Sequence, residues 1–401
     1  MIQDYDDARY VIIRNLAAAE SAGPFDMRGL TDMGPEPEPS VEILADMSKN
    51  DVADAARQPG VAAVARGMPT ALIQPMDMDG DGGGDGDADP TWGLTAIGAD
   101  TSSATGAGVV PAVLDTGIDR AHPAFAGKTL IERDFTTDGD GDRNGHGTHC
   151  AGTIFGDPVG GQHIGVAPGV TKAIIGKVLS DSGGGRSEWL FDGIDWAWKQ
   201  GADVLSMSIG FDFPGEVARL VNRGWPVEAA TSSALESYRA NLRAFDSLMA
   251  MLDARSSRTG GMLVIAAAGN ESDRYASAPF EVAASLPAAA EGVVSVGAVQ
   301  RSAAGLIPAG FSNTFPQISA PGVAVRSAWP GGGLKTLQGT SMACPHVAGA
   351  ACLWWETINS HGFNPATPRT VGAKLTAMAK ADSFGPGVDP SDCGAGLATA
   401  P

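Results

Sequence analysis

The chain has 401 residues, with 46 Asp or Glu against 27 Lys or Arg, for a formal net charge of −19. That balance excludes nucleic acid and anionic membrane as partners, since both need a basic footprint, and no run approaches the roughly 18 apolar residues of a membrane-spanning helix. At 43% apolar and 18% charged residues the composition is that of a globular protein with a large core, in one large domain or a few smaller ones.

The N-terminus, MIQDYDDARYVIIRN, carries acids where a secretory signal carries bases. This places the protein in the cytoplasm, or outside the cell if a signal has been removed. Residues 1–76 read as a small α+β unit: YVII (10–13) is strand-like, and SKNDVADAARQPG (48–60) is a helix opened by a Ser cap and closed by Pro-Gly. VAAVARGMPTALIQP (61–75) then resumes an extended pattern. Residues 77–90, DMDGDGGGDGDADP, are too Gly-rich and too charged to pack and form a linker. Within it Asp77, Asp79, Asp81 and Asp85 follow the opening of a D-x-D-x-D-G calcium loop, but Ala88 stands where the bidentate Glu belongs. A structural calcium site and a solvated linker are both open readings.

A larger α/β unit spans 91–401. VVPAVLD (109–115), AIIGKVL (173–179), ADVLSMSIG (202–210), GMLVIAAAGN (261–270) and GVVSVGAV (292–299) have the apolar continuity of buried parallel strands. SEWLFDGIDWAWKQG (187–201) between two of them is an amphipathic helix, and MACPHVAGAACLWWETI (342–358) a nearly apolar one. The alternation predicts a doubly wound parallel sheet with helices on both faces, whose sites lie at the carboxyl ends of the strands. Leu235, Tyr238, Leu242, Phe245, Met249 and Leu252 recur at helical spacing, which puts an amphipathic helix in the 211–260 stretch. The four cysteines show no C-x-x-C spacing and are read as buried thiols.

Three motifs carry candidate chemistry. VLDTGID (113–119) ends a strand on Asp115, which alone suits a turn cap. NGHGTHCAG (144–152) brings His146 into a helix, and His146 with His149 also fits two zinc ligands on one helical face. GTSMACPHVAG (339–349) opens a helix at Ser341, where a plain N-cap role for Thr340 or Ser341 is the simpler use. Taken together in this order, they supply a nucleophile, a base to take its proton and a carboxylate to hold the base's tautomer. AAAGNES (266–272) adds Asn270 after a strand, as an amide donor to a developing oxyanion.

These motifs resemble those of the subtilisin-like serine proteases, whose triad runs Asp, His, Ser along the chain. An α/β-hydrolase would need G-x-S-x-G with the serine first. The resemblance covers 91–401 and implies a serine endopeptidase of subtilisin-like fold. It assigns Asp115, His146 and Ser341 as the triad, with Asn270 and the Ser341 N–H as the oxyanion hole. It likewise implies that Gly183, Gly184 and Gly185 on one side, and Ser208, Ile209 and Gly210 on the other, pair with substrate backbone. Ser285 would lie at the base of the specificity pocket and Glu271 near its rim, favouring large apolar or basic side chains.

Residues 1–76 resemble the family's inhibitory propeptides, so the chain is expected to act as its own intramolecular inhibitor until self-cleavage between about Pro75 and Pro90. Between Gly210 and Asn270 the chain is about thirty residues longer than the family pattern, a longer surface helix or a partner surface. The partners implied are protein or peptide substrates, the oligomeric state a monomer, and no cofactor is required for the chemistry. A processing protease restricted to one protein, or a binding module descended from a dead protease, is the alternative. Competent residues at every catalytic position weigh against the latter.

Overall fold

The structure, a computed structural model, describes residues 9–15, 39–75, 91–259, 261–361 and 365–401. Its N-terminal part comprises β1 (Arg9–Arg14), β2 (Ser40–Ala45), α1 (Lys49–Ala55), β3 (Val61–Arg66) and β4 (Pro69–Leu72). β1 pairs antiparallel with both β2 and β3. Alternation along β1 sends Tyr10 and Ile12 to one face, against Met47 and Ala55, and Val11 and Ile13 to the other.

Helix α1 opens on a reciprocal cap: Asp51 N donates to Ser48 Oγ at 3.2 Å, and Ser48 N donates to the Asp51 carboxylate at 2.8 Å. It is shorter than its sequence suggests. Pro59 has no N–H to give the Ala55 carbonyl, which Gln58 N takes instead at 3.0 Å, tightening and ending the helix. The extended stretch 61–75 is divided at Gly67, whose Cα lies against the Glu188 carboxylate with no room for a side chain.

The large unit runs α2 (Trp92–Ala96), β5 (Pro111–Asp115), β6 (Thr129–Asp134), α3 (His146–Phe155), β7 (Lys172–Lys177), β8 (Gly184–Arg186), α4 (Ser187–Lys199), β9 (Val204–Met207), β10 (Ile209–Phe211), α5 (Phe213–Asn222) and α6 (Val227–Thr259). It continues with β11 (Leu263–Ala267), β12 (Val293–Ser302), β13 (Gly305–Pro308), β14 (Ile318–Pro321), β15 (Val325–Trp329), β16 (Gly333–Leu337), α7 (Thr340–Ser360) and α8 (Pro368–Ala377). The central sheet has the order β13-β12-β11-β9-β5-β7-β6, with β14 also beside β12. All its pairings are parallel except the β12–β13 hairpin.

Successive residues on the central strands enter opposite layers. Val113, Ile175, Val204 and Ile265 pack with Cys150 of α3 and Val347 of α7. Leu114, Ile174, Leu205 and Val264 pack with Phe191 of α4 and Phe245 of α6. Both faces are covered, which is why these strands read as continuous apolar runs. The fold is the doubly wound parallel sheet expected from the sequence.

Val11, Ile13 and Ala65 of the N-terminal sheet belong to the same layer as α4 and α6. Each of the two aliphatic side chains at 0% exposure gains about 1.5–3 kcal/mol over exposure, so the N-terminal sheet docks through core-like packing. The 211–260 stretch, expected to include an amphipathic helix, holds two helices, because Gly224, at φ +89°, and Pro226 break the chain between α5 and α6. No helix among the described residues is long and apolar enough to cross a membrane.

Candidate active site

Asp115 is the last residue of β5, and His146 the first of α3. Two glycines let them meet. Gly145, at φ +100°, caps α3 where a Cβ would lie 2.6 Å from the Trp329 ring, and Gly147 packs directly on the Gly117 carbonyl. His146 Nδ1 consequently lies 2.8 Å from Asp115 Oδ1, and both side chains are 1% exposed. The carboxylate accepts, so Nδ1 carries the proton and Nε2 is left as the basic nitrogen. Among the described residues Nε2 has no hydrogen-bond partner.

Asp142, in the loop DGDGDR (138–143) that precedes α3, holds the start of that helix. Its Oδ1 accepts from Thr116 Oγ1 (2.9 Å), Asn144 N (3.1 Å) and Gly145 N (2.7 Å), and its Oδ2 from Thr148 N (2.9 Å) and Thr148 Oγ1 (2.6 Å). This carboxylate anchors the N-terminus of α3. Asp138 is likewise engaged, accepting from Asp181 N at 2.8 Å.

The zinc reading of His146 with His149 does not hold. His149 Nε2 faces the carbonyls of Val325 and Lys335 at 3.2 and 3.1 Å, away from His146 Nδ1 and Asp115. Burial, followed by the neighbouring His146, lowers the His149 pKa to about 3, so it is a neutral core residue. The group of potential metal ligands among the described residues is Asp115, His146 and Cys150. Cys150 Sγ lies 3.7 Å from His146 Nδ1, and burial, reinforced by Asp115, raises its pKa well above the ordinary thiol range. All four cysteines are buried free thiols, as expected.

Ser341 stands in the first turn of α7, after Thr340, and the helix cap is Gly339 rather than either hydroxyl residue. Pro345 cannot donate to the Ser341 carbonyl one turn back; that oxygen accepts from Cys150 Sγ and Ser208 Oγ instead, each at 3.4 Å. Asn270 follows β11, and its Oδ1 accepts from Thr340 N and Thr340 Oγ1, both at 2.8 Å. That pair fixes the amide so that Nδ2 faces outward. Gly339 leaves room for it: a Cβ there would sit 2.9 Å from Asn270 Nδ2.

The groove in front of these residues is filled by the chain's own β4. This strand lies antiparallel between β10 and β8, with Ala71 opposite Gly210 and Gly184, and Thr70 opposite Gly185. Leu72 N donates to Gly183 O at 2.8 Å, and Ile73 N to Ser208 O at 3.3 Å. Ile209 pairs with Leu72. Ser187 N donates to Met68 O and Met68 N to Ser187 Oγ, each at 2.9 Å. Ser341 Oγ donates to Ile73 O at 3.0 Å, and Asn270 Nδ2 to Gln74 O at 2.9 Å.

Seen from Gly210, Ile73 Cγ1 and Ser285 Oγ lie 3.5 and 3.8 Å from where a Cβ would stand. Ser285 therefore adjoins the pocket of Ile73. The Glu271 carboxylate accepts from Asn313 Nδ2 at 2.6 Å. Asp77, Asp79, Asp81 and Asp85 lie outside the described residues. Sequence reasoning missed Asp142 and Thr340 as supports of the site. The signal was present in each case, an acid four residues before His146 and a hydroxyl beside Ser341.

The family model of the subtilase family matches residues 106–396. An intracellular serine protease of Paenibacillus polymyxa is 35% identical over 280 residues, 67% of this chain and 73% of that protein. The major intracellular serine protease of Bacillus subtilis is 35% identical over 256 residues, 62% of this chain and 68% of that protein. Subtilisin E of the same organism is 34% identical over 256 residues, 62% and 56% of the two chains.

Proposed function

Because the chain belongs to the subtilase family and is a serine endopeptidase, we propose that Asp115, His146 and Ser341 are its catalytic triad and that it is made as a self-inhibited zymogen. In this reading His146 Nε2 takes the Ser341 proton as Oγ attacks a peptide carbonyl, and Asp115 holds the imidazole and offsets its charge. Asn270 Nδ2 and the Ser341 N–H donate to the oxyanion. His146 then protonates the leaving amine, an acyl-enzyme remains, and water repeats the cycle. The chemistry runs on side chains and water, and any calcium held by the 77–85 stretch stands outside it.

The observation that carries the reading is the 2.8 Å Asp115–His146 bond between two buried side chains, beside a serine hydroxyl in contact with a bound peptide carbonyl. Gly183, Gly184, Gly185, Ser208, Ile209 and Gly210 are assigned to substrate backbone, and Ser285 to the pocket of the residue before the cleaved bond. Support comes from β4, an extended peptide held there by strand addition. The N-terminal unit is assigned as the inhibitor, relieved by cleavage between about Pro75 and Pro90. Relatives named as intracellular proteases support action inside the cell.

The test is a fluorophosphonate probe on protein left to process, followed by peptide mapping. The adduct is expected on Ser341, and Ser341→Ala is expected to stay full-length and unlabelled. A label on another residue, or shortening that persists in pure Ser341→Ala protein, overturns the assignment.

A further inference from the structure

Tyr238 stands on the inserted helix α6 and ties two segments beside the groove together. Leu286 N donates to its phenol oxygen at 3.1 Å. Phe211 N donates to the carbonyl of the same Leu286 at 3.1 Å. The Tyr238 ring meets Phe211 edge-on at 6.4 Å between centroids and Phe213 at 6.1 Å. One side chain thus touches both the edge strand β10 and the segment around Leu286. Those two segments converge at Gly210, where Ile73 Cγ1 and Ser285 Oγ lie 3.5 and 3.8 Å from the position a Cβ would take. Phe211 directly follows Gly210 and Leu286 directly follows Ser285, so movement at Leu286 is passed to both sides of the pocket that holds Ile73.

We propose that Tyr238 is a positioning residue that fixes the width of the pocket for the residue preceding the cleaved bond, and so sets the preference for branched aliphatic side chains there. The inference rests on the assignment of Ser341 as nucleophile and of the Ile73 pocket as the one that precedes the cleaved bond. Ile73, at 4% exposure, gives the size of side chain the pocket encloses. Leu286 is 0% exposed, so its amide has no water to turn to when the phenol oxygen is removed. The segment must then shift, and the pocket with it. Tyr238→Phe isolates this effect, because the ring and its contacts with Phe211 and Phe213 remain.

The experiment compares full-length wild type and Tyr238→Phe, each left to process, with active sites counted by the fluorophosphonate adduct on Ser341. Peptides differing only in Ile, Leu or Ala before the cleaved bond are then assayed for kcat and KM. The expected result is a loss of about fivefold or more in the Ile-over-Ala ratio of kcat/KM, with the Ala peptide changed less than about twofold. An unchanged ratio overturns the proposal, as does an equal loss on all peptides accompanied by a lower Tm, which is the mark of a merely structural role. Amide exchange at Leu286, read in the full chain, supplies a second measurement: faster exchange in Tyr238→Phe is expected, and equal rates remove the premise. Wild type that gives no adduct on Ser341 instead overturns the assignment of the nucleophile, whatever Tyr238 does.

Discussion

The Ser341 hydroxyl donates its hydrogen to the Ile73 carbonyl at 3.0 Å, whereas the Asn270 amide is engaged one residue further on, at Gln74 O, 2.9 Å away. Attack on Ile73 would require the opposite arrangement: the hydroxyl hydrogen directed at His146 Nε2, and Asn270 donating to the carbonyl under attack. His146 Nε2 has no partner among the described residues. On the proposed assignment of Ser341 as nucleophile, the peptide satisfies it without presenting a bond for cleavage, as an intramolecular inhibitor would. The same proposal assigns relief of inhibition to cleavage between about Pro75 and Pro90.

If the N-terminal segment is the proposed inhibitor, Ile73 is a side chain through which it is held, and Ile73→Ala is expected to loosen it. Truncating a buried aliphatic side chain costs about 2–5 kcal/mol where no water can enter, and less in a groove that water can reach. A loss of about 1.4 kcal/mol would already make labelling of Ser341 in the unprocessed chain about tenfold faster. Intact-mass analysis of the fluorophosphonate adduct on full-length protein reads this directly. Equal labelling rates in wild type and variant would mean that the segment does not guard the serine.

Asp142 accepts five hydrogen bonds at the start of α3, and Asp142→Asn turns one acceptor oxygen into a donor facing other donors. The expected cost is about 2–4 kcal/mol in urea unfolding, measured in a Ser341→Ala background to prevent autolysis. In otherwise wild-type protein kcat is expected to drop about tenfold, since the N-terminus of α3 carries His146. Stability within about 0.5 kcal/mol of wild type would show that Asp142 is not the anchor.

What the sequence made legible was whatever repeats with a physical period or a fixed spacing. The apolar runs ending at Asp115 and near Asn270 became β5 and β11 because both faces of the sheet are buried. The motifs around His146 and Ser341 became the first turns of α3 and α7. What escaped depended on contacts between distant segments. Nothing local marks Asp142 as a helix anchor; the partners that make it one include Thr116 and Thr148. The register of β4 is set by pairing with Gly185 and Gly210, more than a hundred residues later. The partner of Glu271, Asn313, is likewise out of local reach, 42 residues away.

Thr340 holds the carbonyl oxygen of the Asn270 side chain with both its N–H and its hydroxyl, each at 2.8 Å. Thr340→Val removes the hydroxyl and lets the amide swing away from the oxyanion. The effect belongs to the transition state, so kcat should fall about tenfold, near 1.4 kcal/mol, while KM stays within about twofold. Thr340→Ser keeps the oxygen and should recover most of the rate. Steady-state kinetics on one peptide with the three proteins suffices, and equal loss in Ser and Val variants would assign the effect to packing of the methyl group.

His149 and His346 provide a pH signature of the fold that is separate from catalysis. Burial lowers their pKa values to about 3 and about 4, against about 6.5 for an unfolded histidine. A base whose folded pKa is depressed binds its proton first in the unfolded chain, so the stability it contributes is full above about pH 6.5 and is lost as pH falls toward the folded value. At pH 5 each histidine should have cost about 2 kcal/mol relative to pH 7.5. Glu132, Asp192 and Asp203, raised by burial, act in the opposite direction, so the raw profile mixes both signs. The difference between two proteins separates them: in a Ser341→Ala background, His149→Gln keeps a donor for the Val325 and Lys335 carbonyls but cannot titrate. Urea unfolding should show the parent losing about 2 kcal/mol more than the variant between pH 7.5 and 5. Parallel profiles would mean that His149 is reached by solvent protons in the folded chain, contrary to its complete burial.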